Sequence, residues 1–485
     1  MPALAPALRN NLEKTVVAAR YLAEAAARVA LHRLAVDERD AYPSLNEEQR
    51  ALRVTLRARA RQLGDPLDKA QADPTSIKTM PALAAECAYE QWHRLLFARF
   101  LAENNLLMHP EGIPVSLTEC EELAADEGLP DGWAVATRYA AHMLPQIFRP
   151  DDPLLQVGFA PESRQALEKL LDTLPSAMFT ADDSLGWVYQ FWQTRRKEQV
   201  NASGEKIDAS TISAVTQLFT EHYMVQFLLH NSLGAWWAAR HPGDALPLAP
   251  SDADYLRRLD DGTPAAGTFP NWPNQANELR ILDPCGGSGH FMVAALDLMA
   301  RIRMCEEGLT EREATDAVLR DNLHMLEIDQ RCTQIAAFAL ALAAWKRGGY
   351  RQLPQLHVAC SGMRIGATKE EWLALCEGEG RARKRLRWSM RQLYDAFQQA
   401  PELGSLIDPL KAMEAGWETA TFAEIQPLLE EALREDNVQA DPDRAAIGVV
   451  AQGLAKAAEL LTHKYHLLVT LVFANKGAIG RALVG

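Results

Sequence analysis

Leu279–Met299 reads LRILDPCGGSGHFMVAALDLM, and this stretch decides the fold. Leu279–Leu282 has the apolar pattern of a short strand, which Asp283–Pro284 ends. A turn with three glycines follows over Gly286–Gly289, and the apolar period of Phe291–Met299 is that of a helix. A strand, a glycine turn and a helix together begin a nucleotide-binding βαβ unit, in which glycine lets the backbone approach a ligand closely.

Several ligands fit such a turn. A Walker phosphate loop needs Lys followed by Ser or Thr after its last glycine, whereas His290 and Phe291 follow here. A dinucleotide-binding turn needs a third glycine three residues after the second, where Met292 stands. S-adenosylmethionine remains, because the carboxylate of Asp283 suits a cationic amino-acid moiety better than a pyrophosphate. A generic strand-to-helix turn without a ligand is the alternative.

A second strand and helix favour a cofactor site. His324–Asp329 is a strand with an acidic end, and Arg331–Trp345 is the helix after it. An acidic side chain there can accept hydrogen bonds from both ribose hydroxyls, and we assign this role to Glu327. Asp329 is expected to cap the helix that follows. The helical stretch Asp297–Leu319 explains why the acidic residue lies further along than usual.

Three short motifs together resemble a known family. They are T-Q-L-F-T-x-x-Y-M-V from Thr216, D-P-x-x-G-S-G-H-F from Asp283, and E-I-D from Glu327. In combination they resemble motifs X, I and II of the adenine-N6 DNA methyltransferases, in the order of the gamma class. The closest resemblance is to the large single-chain enzymes of type IIG restriction and of BREX or DISARM phage-defence systems. It extends over roughly residues 190–470.

The resemblance implies a fold class, a cofactor and a site. The fold would be α/β, an incomplete Rossmann-like core that depends on S-adenosylmethionine, with a large helical N-terminal domain and a helical insertion. After the third strand, Leu356–Cys360, many methyltransferases have an acidic residue that bonds the adenine, and this chain has Ser361. The candidate cofactor-binding residues are Thr216, Phe219, Thr220, Asp283, Pro284, Gly287, Gly289, Phe291, Glu327 and Ser361.

The chain is long enough for two or three domains. Polar and Pro/Gly-rich stretches, together with the motifs, predict four segments. They are a helical N-terminal domain at 1–200, a cofactor-binding core at 201–367, a helical insertion at 368–461, and a fourth strand with an aberrant tail at 462–485.

The insertion contains a basic cluster. Its residues are Arg381, Arg383, Lys384, Arg385, Arg387 and Trp388. Basic residues beside an aromatic ring can follow a phosphate backbone, but one charged face of a helix explains the same pattern. The net charge of −14 disfavours DNA binding by overall charge and leaves a local basic face possible.

Composition excludes some classes of protein. No apolar run reaches the roughly 18 residues of a membrane span, and no signal-peptide pattern is present, so no membrane partner is expected. Seven cysteines without a CxxC pair favour a reducing cytoplasm and argue against zinc or another metal. Cys285 lies in the glycine turn and is expected to be a small packing residue rather than a nucleophile.

The catalytic motif of the family has no counterpart in the sequence. An Asn-Pro-Pro-Tyr motif or a near variant should follow the fourth strand, Tyr465–Thr470, and hold the flipped adenine. Leu471–Ala474 follows instead. No catalytic residue is therefore assigned. We expect a product truncated or frameshifted before this motif and inactive alone.

The leading hypothesis is a site-specific DNA adenine-N6 methyltransferase that acts on double-stranded DNA within a restriction-modification or phage-defence system, with other subunits of that system as further partners. The alternative is a non-catalytic subunit that binds S-adenosylmethionine or DNA and needs a partner chain. A small-molecule or protein methyltransferase fits less well, because motif X precedes motif I and the N-terminal part is long and helical.

Overall fold

The computed structural model describes most of the chain as two compact units, Met1–Arg195 and Arg196–Gly485. The four-segment division made from the sequence stays a prediction. The described residues are 4–63, 65, 80–181, 183–204, 206, 211, 215, 220–362, 369–376, 380–414, 420–421, 424–425, 427 and 467–468.

The regular structure in the described part of the first unit is helical. The last of these helices, Ser184–Ser203, extends past the end of the unit at Arg195. Trp92 and Trp192 are fully buried and stack in the core of the unit, with ring centroids 6.3 Å apart. The helices are α1 Pro6–Arg33, α2 Glu47–Gln62, α3 Pro81–Glu103, α4 Leu117–Leu123, α5 Gly132–Met143, α6 Pro145–Phe148, α7 Pro161–Asp172, α8 Ala177–Thr180 and α9 Ser184–Ser203.

The second unit contains the sheet. A π-helical turn, His230–Gly234, joins α10 to α11, and short 3-10 turns occupy Ala276–Glu278 and Gly404–Leu406. The regular elements are α10 His222–Leu229, α11 Ala235–Arg240, β1 Ile281–Asp283, α12 His290–Glu307, α13 Glu311–Asp321, β2 Leu323–Glu327, α14 Gln330–Gly348, β3 His357–Cys360, α15 Lys369–Ala374, α16 Arg381–Phe397, α17 Ala400–Leu403, α18 Pro409–Glu414 and β4 Leu467–Leu468.

The four strands form one parallel sheet in the order β3-β2-β1-β4. Ile281 of β1 is in register with Leu323 of β2 and with Leu467 of β4. All four predicted strands are present, although only two residues of the predicted fourth strand lie among those described. The described chain is mostly helical with a small parallel sheet, which is compatible with part of a methyltransferase core.

The core of the second unit lies between this sheet and α12, α13 and α14. One face of α12 is buried in this core through Met292, Leu296 and Met299. The buried side chain of Asn322 donates to the carbonyls of Ala276 and Leu279, at 2.8 and 2.7 Å, and so fixes the start of β1 beside β2. The packing therefore holds the carboxyl ends of β1 and β2 next to each other.

One predicted element is wrong in its continuity. The stretch Asp297–Leu319 is not one helix but parts of α12 and α13. Gly308 ends α12 in the left-handed region, with φ of +68°, and Thr310 begins α13 with a reciprocal hydrogen-bond pair to Glu313. A left-handed glycine followed by a capping box stops one helix and starts the next.

Two expectations from composition concern the cysteines and membrane-spanning segments. All seven cysteines are free. Within the described ranges, no helix combines the length and the apolar character that a membrane crossing requires.

Gly289 and Gly308 lie at the two ends of α12 and provide a matched test of the packing. Both have positive φ, +81° and +68°. A Cβ on Gly289 would lie 2.9 Å from Cβ of Ala336, whereas one on Gly308 would meet nothing within 4 Å. Gly308→Ala should cost only backbone strain, about 1–2 kcal/mol. We expect Gly289→Ala to cost about 1–3 kcal/mol more, because it also overpacks the contact with α14. Urea unfolding measures the difference, and equal losses would contradict the close packing of the turn.

Candidate cofactor-binding site

The turn after β1 brings its backbone against β2 and α14. Gly286 donates to the carbonyl of Leu326 at 3.0 Å, and a Cβ on Gly286 would lie 2.3 Å from Cε of Met325. Gly287 and Gly289 both have positive φ. Glycine is required here because a side chain would collide with β2 or force a strained backbone. The sequence-based prediction of a tight glycine turn after β1 is confirmed.

Glu327 joins the end of β2 to this turn. One oxygen of its carboxylate accepts from the backbone N–H of Gly287 at 2.7 Å, and the other accepts from the N–H of Asp329 at 2.9 Å. The residue is only 4% exposed. Each carboxylate oxygen has two lone pairs, so both can accept a further hydrogen bond from a ligand.

The surroundings of Glu327 make it a weak acid. Burial raises its pKa from an ordinary value of 4.5 to about 7, and the nearby carboxylates of Asp329 and Asp283 act in the same direction. The two backbone N–H groups oppose this effect because they bind the charged form. At neutral pH the group therefore titrates. A shift of this size, in a carboxylate at the end of a parallel strand, is a property of functional sites.

Asp283 ends β1 at the same edge of the sheet. It is fully buried, and its carboxylate accepts from the N–H of Cys285 at 3.2 Å. Pro284 beside it is buried, and Phe291 at the start of α12 is half-buried against the core. The structure thus places the carboxylates of Asp283 and Glu327 close enough to interact.

Ser361 lies directly after β3, at the same edge. Its N–H donates to the carbonyl of Glu327 at 2.7 Å, so the backbone is fixed. Its hydroxyl is buried and has no hydrogen-bond partner among the described residues. A buried hydroxyl without a partner costs free energy, and a ligand that offers a donor or an acceptor would recover it.

Only part of motif X lies among the described residues. Thr216 and Phe219 lie outside them. Thr220 is half-buried and comes just before α10. The ring of His222, at the start of α10, lies 5.9 Å from the ring of His290 at the start of α12. The beginning of α10 is therefore next to the end of the glycine turn.

Sequence reasoning was wrong about Cys285 and missed Ser405. Cys285 is exposed, so it is not a packing residue. Desolvation by its neighbours, with the carboxylates of Glu327 and Asp283, raises the pKa of its thiol to about 12, which keeps it protonated. The side chain of Ser405, which the insertion brings to this edge, acts in the opposite direction and lowers the pKa of this thiol. No local motif marks Ser405, because the contact joins segments that are far apart in sequence.

The basic cluster lies at the N-terminal end of α16. Further along this helix, Met390 and Leu393 are buried. Arg385 forms an ion pair with Glu424, and Arg387 donates to the carbonyl of Leu373 at 3.2 Å. The other cluster members are Arg381 and Lys384, which are exposed, and Arg383 and Trp388, which are half-exposed. The first turn of the helix has no acidic residue. Positive charge at this end opposes the helix dipole, so the cluster does not stabilise α16.

Among the described residues, one group of three side chains could hold a metal ion. It consists of His32, Asp37 and Glu38 in the first unit. His32 and Asp37 are already hydrogen-bonded to each other at 2.8 Å. The other carboxylate oxygen of Asp37, Oδ1, is buried and has no hydrogen-bond partner among the described residues.

Comparisons with known proteins identify similar sequences. The chain is 31% identical over 216 residues to the adenine-specific methyltransferase PglX of Lacticaseibacillus casei (strain Zhang), a match over 41% of this chain and 18% of that protein. It is 26% identical over 302 residues to the adenine-specific methyltransferase BrxX of Escherichia coli O9:H4 (strain HS), over 54% of this chain and 24% of that protein. No family model matches.

The two relatives confirm the resemblance to adenine-specific methyltransferases that the motifs indicate. The match spans less than a quarter of the length of either relative.

The raised pKa of Glu327 predicts a pH dependence of stability. Its pKa in the folded chain, about 7, exceeds the ordinary value of 4.5, so folding takes up a proton between these values. The contribution of Glu327 to the free energy of unfolding is therefore largest below about pH 4.5 and is lost as pH rises through about 7. Glu327→Gln cannot ionise and should lack this loss. Between pH 5 and pH 8, wild type should lose about 2–3 kcal/mol relative to the variant.

Urea unfolding of both proteins across this pH range measures the effect. Glu278→Gln is the control, because Glu278 is an exposed carboxylate just before β1. Parallel profiles for wild type and Glu327→Gln would show that Glu327 is not a buried, titrating group.

Proposed function

We propose that the second unit binds S-adenosylmethionine across the carboxyl ends of β1, β2 and β3. The observation that carries this proposal is the carboxylate of Glu327, which holds the glycine turn through Gly287 and keeps lone pairs for a ligand. Ligands of parallel α/β sheets bind at this edge. The parallel order β3-β2-β1-β4 supports a Rossmann-like core, because it is the order of the first strands in a doubly wound fold.

The residues present fit this cofactor. Glu327 would accept from the ribose hydroxyls, and Asp283 would lie towards the cationic methionine end. Gly287 and Gly289 leave room for the backbone to approach it. The unpartnered hydroxyl of Ser361 offers a hydrogen bond to the adenine. Thr216, Phe219 and Thr220 would cover the methionine end, and Pro284 and Phe291 would shape the turn. The cofactor, when bound, supplies an electrophilic methyl group.

We infer that the biological role is adenine-N6 methylation of double-stranded DNA in a restriction-modification or phage-defence system. The names of the two relatives support the reaction, and the motif resemblance supports the type of system. Further subunits of such a system would be partners. The seven free cysteines support a cytoplasmic location.

A second candidate function is a binding subunit that needs another chain for catalysis. The observation that favours it is the sequence itself, which contains no Asn-Pro dipeptide and hence no counterpart of the family's adenine-holding motif. Removal of one preorganised polar group from an active site typically lowers the rate about 100- to 1000-fold.

We therefore expect the 485-residue chain to bind the cofactor without methylating DNA. Labelled methyl transfer to mixed-sequence duplex DNA tests this, and incorporation at adenine would favour the first candidate.

Cofactor affinity tests the assignment of Glu327. Glu327→Ala removes the acceptor for the ribose hydroxyls and releases Gly287, so binding of S-adenosylmethionine should weaken by about 1–3 kcal/mol. Isothermal titration calorimetry measures the affinity. Glu278→Ala is the matched control, since this exposed carboxylate lies three residues before β1. Wild-type affinity in Glu327→Ala would remove Glu327 from the site.

We also propose that the basic cluster on α16 contacts DNA phosphates. The cluster lies at the N-terminal end of α16, which is the positive end of the helix dipole. The basic side chains and the helix dipole both favour an anion at this place, which supports the proposal. The cluster is Arg381, Arg383, Lys384, Arg385 and Arg387, with Trp388 beside them.

The salt dependence of DNA binding tests this interaction. Arg383→Ala with Lys384→Ala should reduce the slope of log affinity against log salt by about 0.9 for each phosphate that the protein no longer neutralises. Arg28→Ala with Arg320→Ala is the control, since these exposed arginines lie outside the cluster. Equal slopes for wild type and the cluster variant would leave the cluster as a solvated helix face.

A further inference from the structure

We propose that the turn Gly404–Leu406 of the insertion is a movable wall of the cofactor site, which must leave its observed position for S-adenosylmethionine to bind. The inference rests on the proposed cofactor binding. It adds that the insertion controls the access of S-adenosylmethionine to the site. The turn lies far from the strands in sequence, between α17 and α18.

The turn packs on the ends of two strands. Gly404 is buried with φ of +48°, and a Cβ there would lie 3.1 Å from Cδ1 of Ile328 and 3.4 Å from Oγ of Ser361. Ile328 follows Glu327 at the end of β2, and Ser361 follows β3. The turn therefore covers the two positions between which the adenine and ribose of the cofactor would lie.

The turn also reaches the glycine loop after β1. The side chain of Ser405 lies close enough to the thiol of Cys285 to lower its pKa, and Ser405 is only 6% exposed. Three consecutive strand ends are thus in contact with one turn of the insertion. The turn is attached to the core of the insertion on both sides. Ala400 before it and Ile407 after it belong to the same buried cluster as Met390 of α16.

Three of the groups that would bind the cofactor are closed to solvent in this arrangement. Asp283 is fully buried, and Glu327 and Ser361 are each 4% exposed. A ribose hydroxyl must reach within about 3 Å of a carboxylate oxygen to form a hydrogen bond. Binding therefore requires one of the covering segments to move, and the strands and α12 are fixed in the core. The turn at Gly404 meets the strand ends through van der Waals contacts with Ile328 and Ser361, so we infer that it separates from the strands together with the part of the insertion that carries it.

A reversible disulfide tests this role. Because the side chain of Ser405 lies near the thiol of Cys285, Ser405→Cys brings two thiols close together, and oxidation should join them and fix the turn. We expect the oxidised variant to lose S-adenosylmethionine affinity by at least about 100-fold in calorimetry, and dithiothreitol to restore it. Peptide mapping verifies the disulfide. Restoration by the reductant shows that the loss is not due to misfolding.

Ser405→Cys combined with Cys285→Ser is the matched control, since it cannot form this disulfide and should bind equally in oxidising and reducing buffer. Unchanged affinity of the oxidised single variant would overturn the proposal, because the site would then fill with the turn in place. Failure of the disulfide to form would also overturn it, since the contact would not exist in solution. Absence of binding by reduced wild type would instead refute the proposed function, and this inference with it.

Discussion

The hydrogen bond from the N–H of Gly287 to the carboxylate of Glu327 is the interaction on which the candidate site depends. It joins the turn after β1 to the end of β2, so that one carboxylate sets the position of the backbone around a ligand. Burying a carboxylate is costly, and two backbone N–H groups offset only part of that cost, as the pKa of about 7 shows. The fold thus keeps a destabilising group at the edge where parallel sheets bind ligands. Such a cost is typical of functional sites.

Close packing around the turn makes this arrangement specific. Gly286 leaves no room for a Cβ against Met325, and Gly289 leaves none against Ala336. The turn therefore packs closely between β2 and α14. On its outer side lies the 404–406 turn of the insertion, in contact with Ile328 and Ser361. A rigid inner wall and an insertion-derived outer wall are the physical basis for the proposed control of access.

The sequence allowed accurate prediction wherever a local pattern determines the structure. The strand-turn-helix unit at Asp283 follows from hydrophobic periodicity and glycine placement, and the prediction that Asp329 caps the helix after β2 is confirmed. The parallel strands were also predictable, because each is a short apolar run. Other features depend on contacts between distant segments. Neither the burial of Glu327 nor the contact between Ser405 and Cys285 leaves a local signal. The break at Gly308 does have a local signal, which is a glycine followed by the capping box at Thr310. The helical period on both sides of the break nevertheless indicated one helical stretch.

A crystal structure of the chain with S-adenosylmethionine tests the central claim most directly. We expect the carboxylate of Glu327 to lie about 2.5–3.0 Å from the ribose hydroxyls while it still accepts from the N–H of Gly287. The methionine end should lie on the side of Asp283. Cofactor density at another edge of the sheet, or a ribose that makes no contact with Glu327, would contradict the account.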